Sequence, residues 1–288
     1  GERYQKQDKN FVDYNLGVPN GFSLPLRNGG SFPFFGYGSF VGAAQTFGRF
    51  VKYPFPELLE QPIGLHSLNL GIAGAGPRKF ISSSFLINAI NGGKYCVLQV
   101  MSGRSCKNNI FDYIQNKWEG SSSFWNKDLN KAQRAEDAWE WYVSNHTREE
   151  IINLIDDTRQ QYIKEYLELI SKIRVPIILL WFSTREPKYD IKVNRKGIKS
   201  LFSSYPHFVD QDMVSYIAKH CSSYVEVITD DGLPQQLFHA FTLEPQHRTP
   251  GDHRSKSTLN DYYPSPEMHY LCAAKLSPFI KGILRHRE

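Results

Sequence analysis

Two short apolar runs, each stopped by a glycine-rich turn, constrain this chain more than any other feature. Residues 36–50 read Gly-Tyr-Gly-Ser-Phe-Val-Gly-Ala-Ala-Gln-Thr-Phe-Gly-Arg-Phe, and residues 68–76 read Leu-Asn-Leu-Gly-Ile-Ala-Gly-Ala-Gly. A buried parallel strand hands the chain to a loop and a helix in this way, so the two strand ends predict a site at residues 42–48 and 71–76.

The remaining pattern extends the same alternation. Residues 95–101 and 175–182 are apolar runs of strand length, and residues 224–228 form a shorter one. Between them lie helical patterns over residues 79–91, 147–172 and 210–221, and a further helix is expected from about Tyr270. Thr147 and Glu150 have capping-box spacing, and Ile151, Leu154, Ile155, Tyr162, Tyr166, Leu169 and Ile170 line one helical face. Strands alternating with helices predict an α/β fold, a three-layer α/β/α sandwich around a mostly parallel sheet. Residues 1–34 are polar, rich in Gly, Asn and Pro and without period, which predicts a surface arm before a single domain over residues 35–288. Residues 111–145 carry Trp118, Phe124, Trp125, Trp139, Trp141 and Tyr142 and read as an aromatic-rich helical insertion, either a substrate lid or extra core.

The blocks resemble the SGNH (GDSL-type) hydrolase superfamily, and resemble more closely an uncharacterised bacterial family with the same degenerate first block. Residues 42–48, Gly-Ala-Ala-Gln-Thr-Phe-Gly, stand in the frame of Gly-Asp-Ser-x-Thr-x-Gly, and residues 69–74 match Asn-Leu-Gly-x-x-Gly. The resemblance implies an SGNH- or flavodoxin-like sandwich, with Asn108 contributing to an oxyanion hole. It also places Ala44 on the nucleophile, Asn260 on the triad acid and Tyr263 on the base. Alanine has no nucleophilic atom, so serine hydrolysis in the usual arrangement is excluded.

The chemistry left at the strand ends consists of backbone N–H groups in Gly- or Ser-rich turns, which favour an anion. Gly42, Gln45, Thr46, Gly71, Gly74, Ser102, Arg104, Ser105, Ser183 and Arg185 are the candidate cofactor-binding residues, and neither Arg104 nor Arg185 has an acidic neighbour in sequence other than Glu186. The layout of residues 97–107 and 177–187 is also similar to PAPS-dependent sulfotransferases, which place a phosphosulfate loop and an arginine at such a separation. That resemblance implies PAPS as cofactor and transfer of a sulfuryl group to a hydroxyl or amine of a small molecule or glycan. Histidine is the natural general base near neutral pH, and His269 and His253, in the C-terminal third, are the candidates for it. Two alternatives stand beside it: an esterase or acyltransferase with a relocated nucleophile at Thr46, Ser102 or Ser105, and a non-catalytic domain binding carbohydrate or peptide.

Composition sets outer limits. Lys and Arg number 34 against 29 Asp and Glu, and they are interspersed, so a nucleic-acid partner is not expected. No apolar run has the length of a membrane span, and the histidines have no zinc spacing, so neither a membrane nor a metal is expected. Four scattered cysteines without a CxxC pair predict reduced buried thiols and a cytoplasmic setting.

Overall fold

The computed structural model describes residues 2–19, 22, 24–29, 36–114, 122–191, 201–202, 204–245 and 259–285. In chain order its main elements are helix α1 (Glu2–Asp8), strand β1 (Tyr37–Gly42), helix α2 (Ala44–Phe47), β2 (His66–Gly71), α3 (Pro77–Ile81), α4 (Ser84–Asn91) and β3 (Tyr95–Gln99). There follow β4 (Phe111–Tyr113), β5 (Ser123–Asn126), β6 (Lys131–Arg134), α5 (Ala135–Asn145), α6 (Arg148–Lys172), β7 (Ile177–Ser183), α7 (Gln211–Ala218), β8 (Ser223–Ile228) and α8 (Pro266–Arg285).

Five of these strands form a parallel sheet flanked by helices, in the order β2-β1-β3-β7-β8. Numbered along the chain the order is 2-1-3-4-5, that of doubly wound flavodoxin-like sheets. Burial explains the order. Every residue of β1, β3 and β7 is buried, as strands covered on both faces must be, whereas β2 begins exposed and β8 is half-buried at alternate positions, as edge strands are. Among the described residues no helix is long and apolar enough to cross a membrane.

The chain divides into two compact units, Gly1–Ala73 with Gly93–Val97 and Thr229–Glu288, and Gly74–Gly92 with Leu98–Ile228. In the first, β1 and β2 run in parallel register with Gly42 opposite Gly71. The N-terminal segment belongs to this unit's core: Tyr4, Val12 and Tyr14 are buried with Ala44 and Phe47, and Phe11, Leu16, Ala73 and Tyr263 pack against them. The expected surface arm is therefore anchored by its aromatic side chains, whose irregular spacing follows no helical or strand period.

In the second unit α6 carries the expected capping box, with Thr147 accepting from the Glu150 N–H and Glu150 reaching back to the Thr147 N–H at 2.7 Å. The helix expected over residues 79–91 is broken into α3 and α4, because the Ser83 side chain accepts the Leu86 N–H and starts a new helix. The insertion is an antiparallel sheet, β4-β5-β6, followed by α5, not a purely helical element. Its inward residues Phe111, Tyr113, Phe124, Trp139 and Tyr142 form a core with Leu201, Phe202 and Phe208, which favours the extra-core interpretation over the lid.

Candidate functional site

The three residues that the resemblance sets on a serine triad, Ala44, Asn260 and Tyr263, all lie in the first unit, and Asn260 bonds the backbone of Tyr263. Ala44 opens α2 as a buried methyl; Asn69 donates through Nδ2 to the Thr46 carbonyl at 3.0 Å and accepts the Gly71 N–H through Oδ1 at 3.0 Å. Asn260 accepts the N–H groups of Tyr262 and Tyr263 through Oδ1 at 3.2 and 2.9 Å and donates through Nδ2 to the Tyr263 carbonyl and to Gln235. An aspartate would accept here as well, and asparagine holds the turn without a charge. Tyr263 accepts from Arg49 Nη1 at 3.1 Å, and its ring meets those of Tyr4 and Phe50 edge-on.

Arg49 is the electrostatic centre of this cluster. Its Nε and Nη2 bond the two oxygens of Asp8 at 2.9 and 3.1 Å, and Tyr14 donates to the same carboxylate at 2.9 Å. Burial raises the phenol pKa values of Tyr4 and Tyr14 well above the usual tyrosine range, so neither ring supplies a phenolate.

The candidate cofactor residues of this unit serve the packing. Gln45 and Thr46 are buried on α2, and a Cβ at Gly71 would stand 2.2 Å from the Phe47 nitrogen, so glycine there permits β2 and α2 to touch. His269 lies inside α8, which begins at Pro266 instead of about Tyr270. It is fully buried, accepts the Phe55 N–H through Nδ1 at 3.0 Å, and burial drives its pKa down to about 3. A ring this weakly basic is a poor proton acceptor near neutral pH. His253 lies outside the described residues.

The second unit holds the other strand ends. Ser102 caps a single turn of 3-10 helix, Gly103–Ser105, and accepts the Arg104 N–H at 3.2 Å. Its Oγ lies 2.7 Å from Nδ1 of His207, and the Gly103 N–H donates to the His207 carbonyl at 2.9 Å. Nothing in the sequence marks His207: it sits in a loop 105 residues from Ser102, and no spacing links the two.

Both arginines of the expected anion clamp have partners within the chain. Arg104 Nη1 bonds Glu136 at 2.6 Å, although Nε finds no acceptor among the described residues. Arg185 donates to the carbonyls of Ser204, Glu186, Pro206 and Val209 and lies against the rings of Trp181 and Tyr189, with Cζ 4.9 and 4.3 Å from their centroids. Burial lowers its pKa to about 10. Ser183 donates to the Tyr205 carbonyl at 2.6 Å and accepts the Arg185 N–H at 3.0 Å. Asn108, the expected oxyanion donor, instead accepts the N–H groups of Ile110 and Phe111 and donates to Thr158 Oγ1 at 3.0 Å. Ser105 is buried in the 3-10 turn. Gly74 takes a φ of +69°, the left-handed region open to glycine, so its role is in turning the chain.

A buried cluster of the same unit had no signature in the sequence. Glu165 accepts from Tyr113 through both oxygens, at 3.0 and 2.8 Å, lies 3.5 Å from Arg78 and 3.9 Å from Cys106, and has its pKa raised by burial. Among the described residues no group of three or more His, Cys, Asp or Glu is placed to hold a metal.

The family model described as "Domain of unknown function (DUF6473)" matches residues 27–115 and 143–284. The chain belongs to the DUF6473 family. No curated protein matches this DUF6473 chain. Among solved structures it is similar to a family two carbohydrate esterase from Clostridium thermocellum in complex with cellohexaose, at 12% identity and a TM-score of 0.43 over 88% of this chain. The chain spans 66% of that esterase, just under two thirds of its length. It is also similar to a putative lipolytic protein of the G-D-S-L family from Desulfitobacterium hafniense, at 13% identity and a TM-score of 0.40 over 85% of this chain and 99% of that one. A catalytic mutant of Axe2, an acetylxylan esterase from Geobacillus stearothermophilus, aligns at 14% identity and a TM-score of 0.39, over 85% and 95% of the two chains.

Proposed function

We propose that this DUF6473 chain is an acyl-transferring hydrolase in which Ser102, not the residue at position 44, is the nucleophile and His207 its base. The observation that carries this is the 2.7 Å contact between Ser102 Oγ and His207 Nδ1. A hydroxyl next to an imidazole is the minimal unit of nucleophilic catalysis, and it lies just past the C-terminal end of a parallel strand, where α/β sheets put their chemistry. Ser102 Oγ would attack the carbonyl carbon of an ester carried by a small molecule or glycan while its proton passes to Nδ1. That proton would leave with the departing alcohol, and water, deprotonated by the same nitrogen, would release the acid.

Sulfuryl transfer from PAPS has less support. It rested on strand-end arginines in need of an anion, and Arg104 has Glu136 while Arg185 has four carbonyls.

One observation favours the non-catalytic alternative: Ser102 is 8% and His207 4% exposed. A fluorophosphonate probe and p-nitrophenyl acetate separate the two. Labelling and turnover that disappear in both Ser102→Ala and His207→Asn, with unchanged melting of the variants, support the hydrolase. A folded parent that neither labels nor turns over would leave a binding domain.

A further inference from the structure

The hydroxyl of Ser102 and the imidazole of His207 are carried by separate stretches of backbone. Ser102 follows the end of β3 at Gln99, and His207 lies in residues 204–209, which belong to no helix or strand. Every carbonyl of that second stretch is nevertheless taken. Arg185 bonds those of Ser204, Pro206 and Val209, Ser183 Oγ that of Tyr205, the Gly103 N–H that of His207, and Arg159 Nε that of Phe208. The loop is thus fixed by groups of other elements, without a ladder of its own.

Helix α6 reaches both stretches from one face. Tyr166 donates to the Gln99 carbonyl and accepts the Met101 N–H, each at 2.7 Å, and Tyr162 donates to the Met101 carbonyl at 2.6 Å. The Met101 carbonyl belongs to the peptide bond that leads into Ser102. Arg159, three residues before Tyr162 and so on the same face, holds the Phe208 carbonyl at 2.8 Å, one residue past His207. The two stretches and α6 converge at Gly103, where a Cβ would meet the His207 carbonyl oxygen at 3.0 Å, Phe208 Cβ at 3.4 Å and Tyr162 Cδ2 at 3.7 Å. Arg159 also pairs with Asp210, the cap of α7, at 3.1 Å, yet its Nη2 is buried without an acceptor among the described residues. A buried donor left unpaired costs stability, so its placement asks for a reason other than stability.

We propose that Arg159 and Tyr162 are positioning residues for the Ser102–His207 pair: α6 sets the distance from hydroxyl to imidazole by holding one backbone carbonyl beside each. Such a pair must be held to within about 0.5 Å, and a misplacement of about 1 Å costs about a hundredfold in rate. The role of the two residues in catalysis rests on Ser102 and His207 being nucleophile and base, but their hold on the geometry can be read without turnover.

The test compares Arg159→Met and Tyr162→Phe with Glu168→Gln, which removes a 2.9 Å ion pair to Arg78 farther along the same helix. Each is measured for p-nitrophenyl acetate kinetics across pH, for melting, and for the titration of the His207 ring by NMR, its signals assigned against His207→Asn. We expect the first two variants to lower kcat on the pH plateau about tenfold with KM within about twofold, and to shift the ring midpoint. Tyr162→Phe changes no charge, so a shift there reports position. Glu168→Gln should move neither quantity, whatever it costs in melting. Either variant that folds with a parental kcat and a parental ring midpoint removes its residue from the role, and a control that moves the ring as far overturns the proposal. Should Tyr162→Phe not fold, Arg159→Met, at a partly exposed site, decides alone. A parent without turnover ends the hydrolase reading instead; the ring midpoints then decide the positioning role, and parental values in the variants overturn it.

Discussion

His269 and Phe55 meet through two contacts at once: the imidazole Nδ1 accepts the Phe55 N–H at 3.0 Å, and the two rings stack at 5.8 Å with 17° between their planes. This histidine is a fixed acceptor at the start of the Phe55–Leu58 helix. Its depressed pKa, caused by burial, makes a sign-definite prediction. The folded state resists protonation down to about pH 3, whereas the unfolded chain takes up the proton near the ordinary histidine value of about 6.5. The stabilisation is therefore complete above the unfolded pKa and declines as pH falls below it, by about 1.4 kcal/mol per pH unit at most. His269→Asn keeps an acceptor for the Phe55 N–H and cannot titrate. Urea unfolding at pH 7 and pH 5 should show a smaller acid loss in the variant than in the parent; equal losses would refute the linkage.

A hydroxyl introduced at position 44, where the resemblance would set a nucleophile, should not confer chemistry. Ala44→Ser places an Oγ among Tyr4, Tyr14 and Phe47, where Asn260 is already committed to its own turn and Tyr263 to Arg49. We expect no p-nitrophenyl acetate turnover beyond the parent's, and a loss of about 1–3 kcal/mol in unfolding free energy from a buried hydroxyl without a partner.

Arg185→Lys replaces a fork that satisfies four carbonyls with a single ammonium. Carbonyls left without donors should cost about 2 kcal/mol, read by denaturant unfolding. Because the segment from Ser204 to Val209 carries His207, the same change should also shift the His207 ring signals in an NMR spectrum. PAP added to the parent should leave its melting temperature where it was, and a dose-dependent rise would return Arg185 to the role of anion clamp.

Gly71→Ala sets a methyl 2.2 Å from the nitrogen and 2.6 Å from the Cα of Phe47, both backbone atoms that cannot move aside cheaply. The expected loss is about 3 kcal/mol. A variant as stable as the parent by urea midpoint would mean that β2 and α2 have room to separate.

The parts legible in the sequence were those set by local burial and local caps. Residues 177–183 are apolar without interruption because the strand is covered on both faces, and Thr147 with Glu150 announced α6 because both partners of the cap lie within one turn. The parts that were not legible depend on distant residues. Tyr4 and Tyr14 have no periodicity because each fills its own place against Ala44, Phe47 and Arg49. Arg104 looked unpaired because Glu136 reaches it from a helix 32 residues onward. Ser102 was among the candidates, but nothing in the sequence distinguished it from Thr46 or Ser105 until His207 was seen beside it.

The division of the chain bears on the order in which it can be assembled. One unit draws on both ends of the polypeptide, Gly1–Ala73 and Thr229–Glu288, while the other lies between them. Contacts of such long sequence separation form slowly, because a large loop must close before they reward the chain. During synthesis the middle unit emerges before the last segment of the first, whereas the cluster of Tyr4, Tyr14, Ala44 and Phe47 must wait for Tyr263, which packs against it, to leave the ribosome. Until then the faces of Phe50 and Phe55 that Tyr263 and His269 meet stay uncovered, and a nascent chain stalled before residue 259 would be the form most exposed to aggregation.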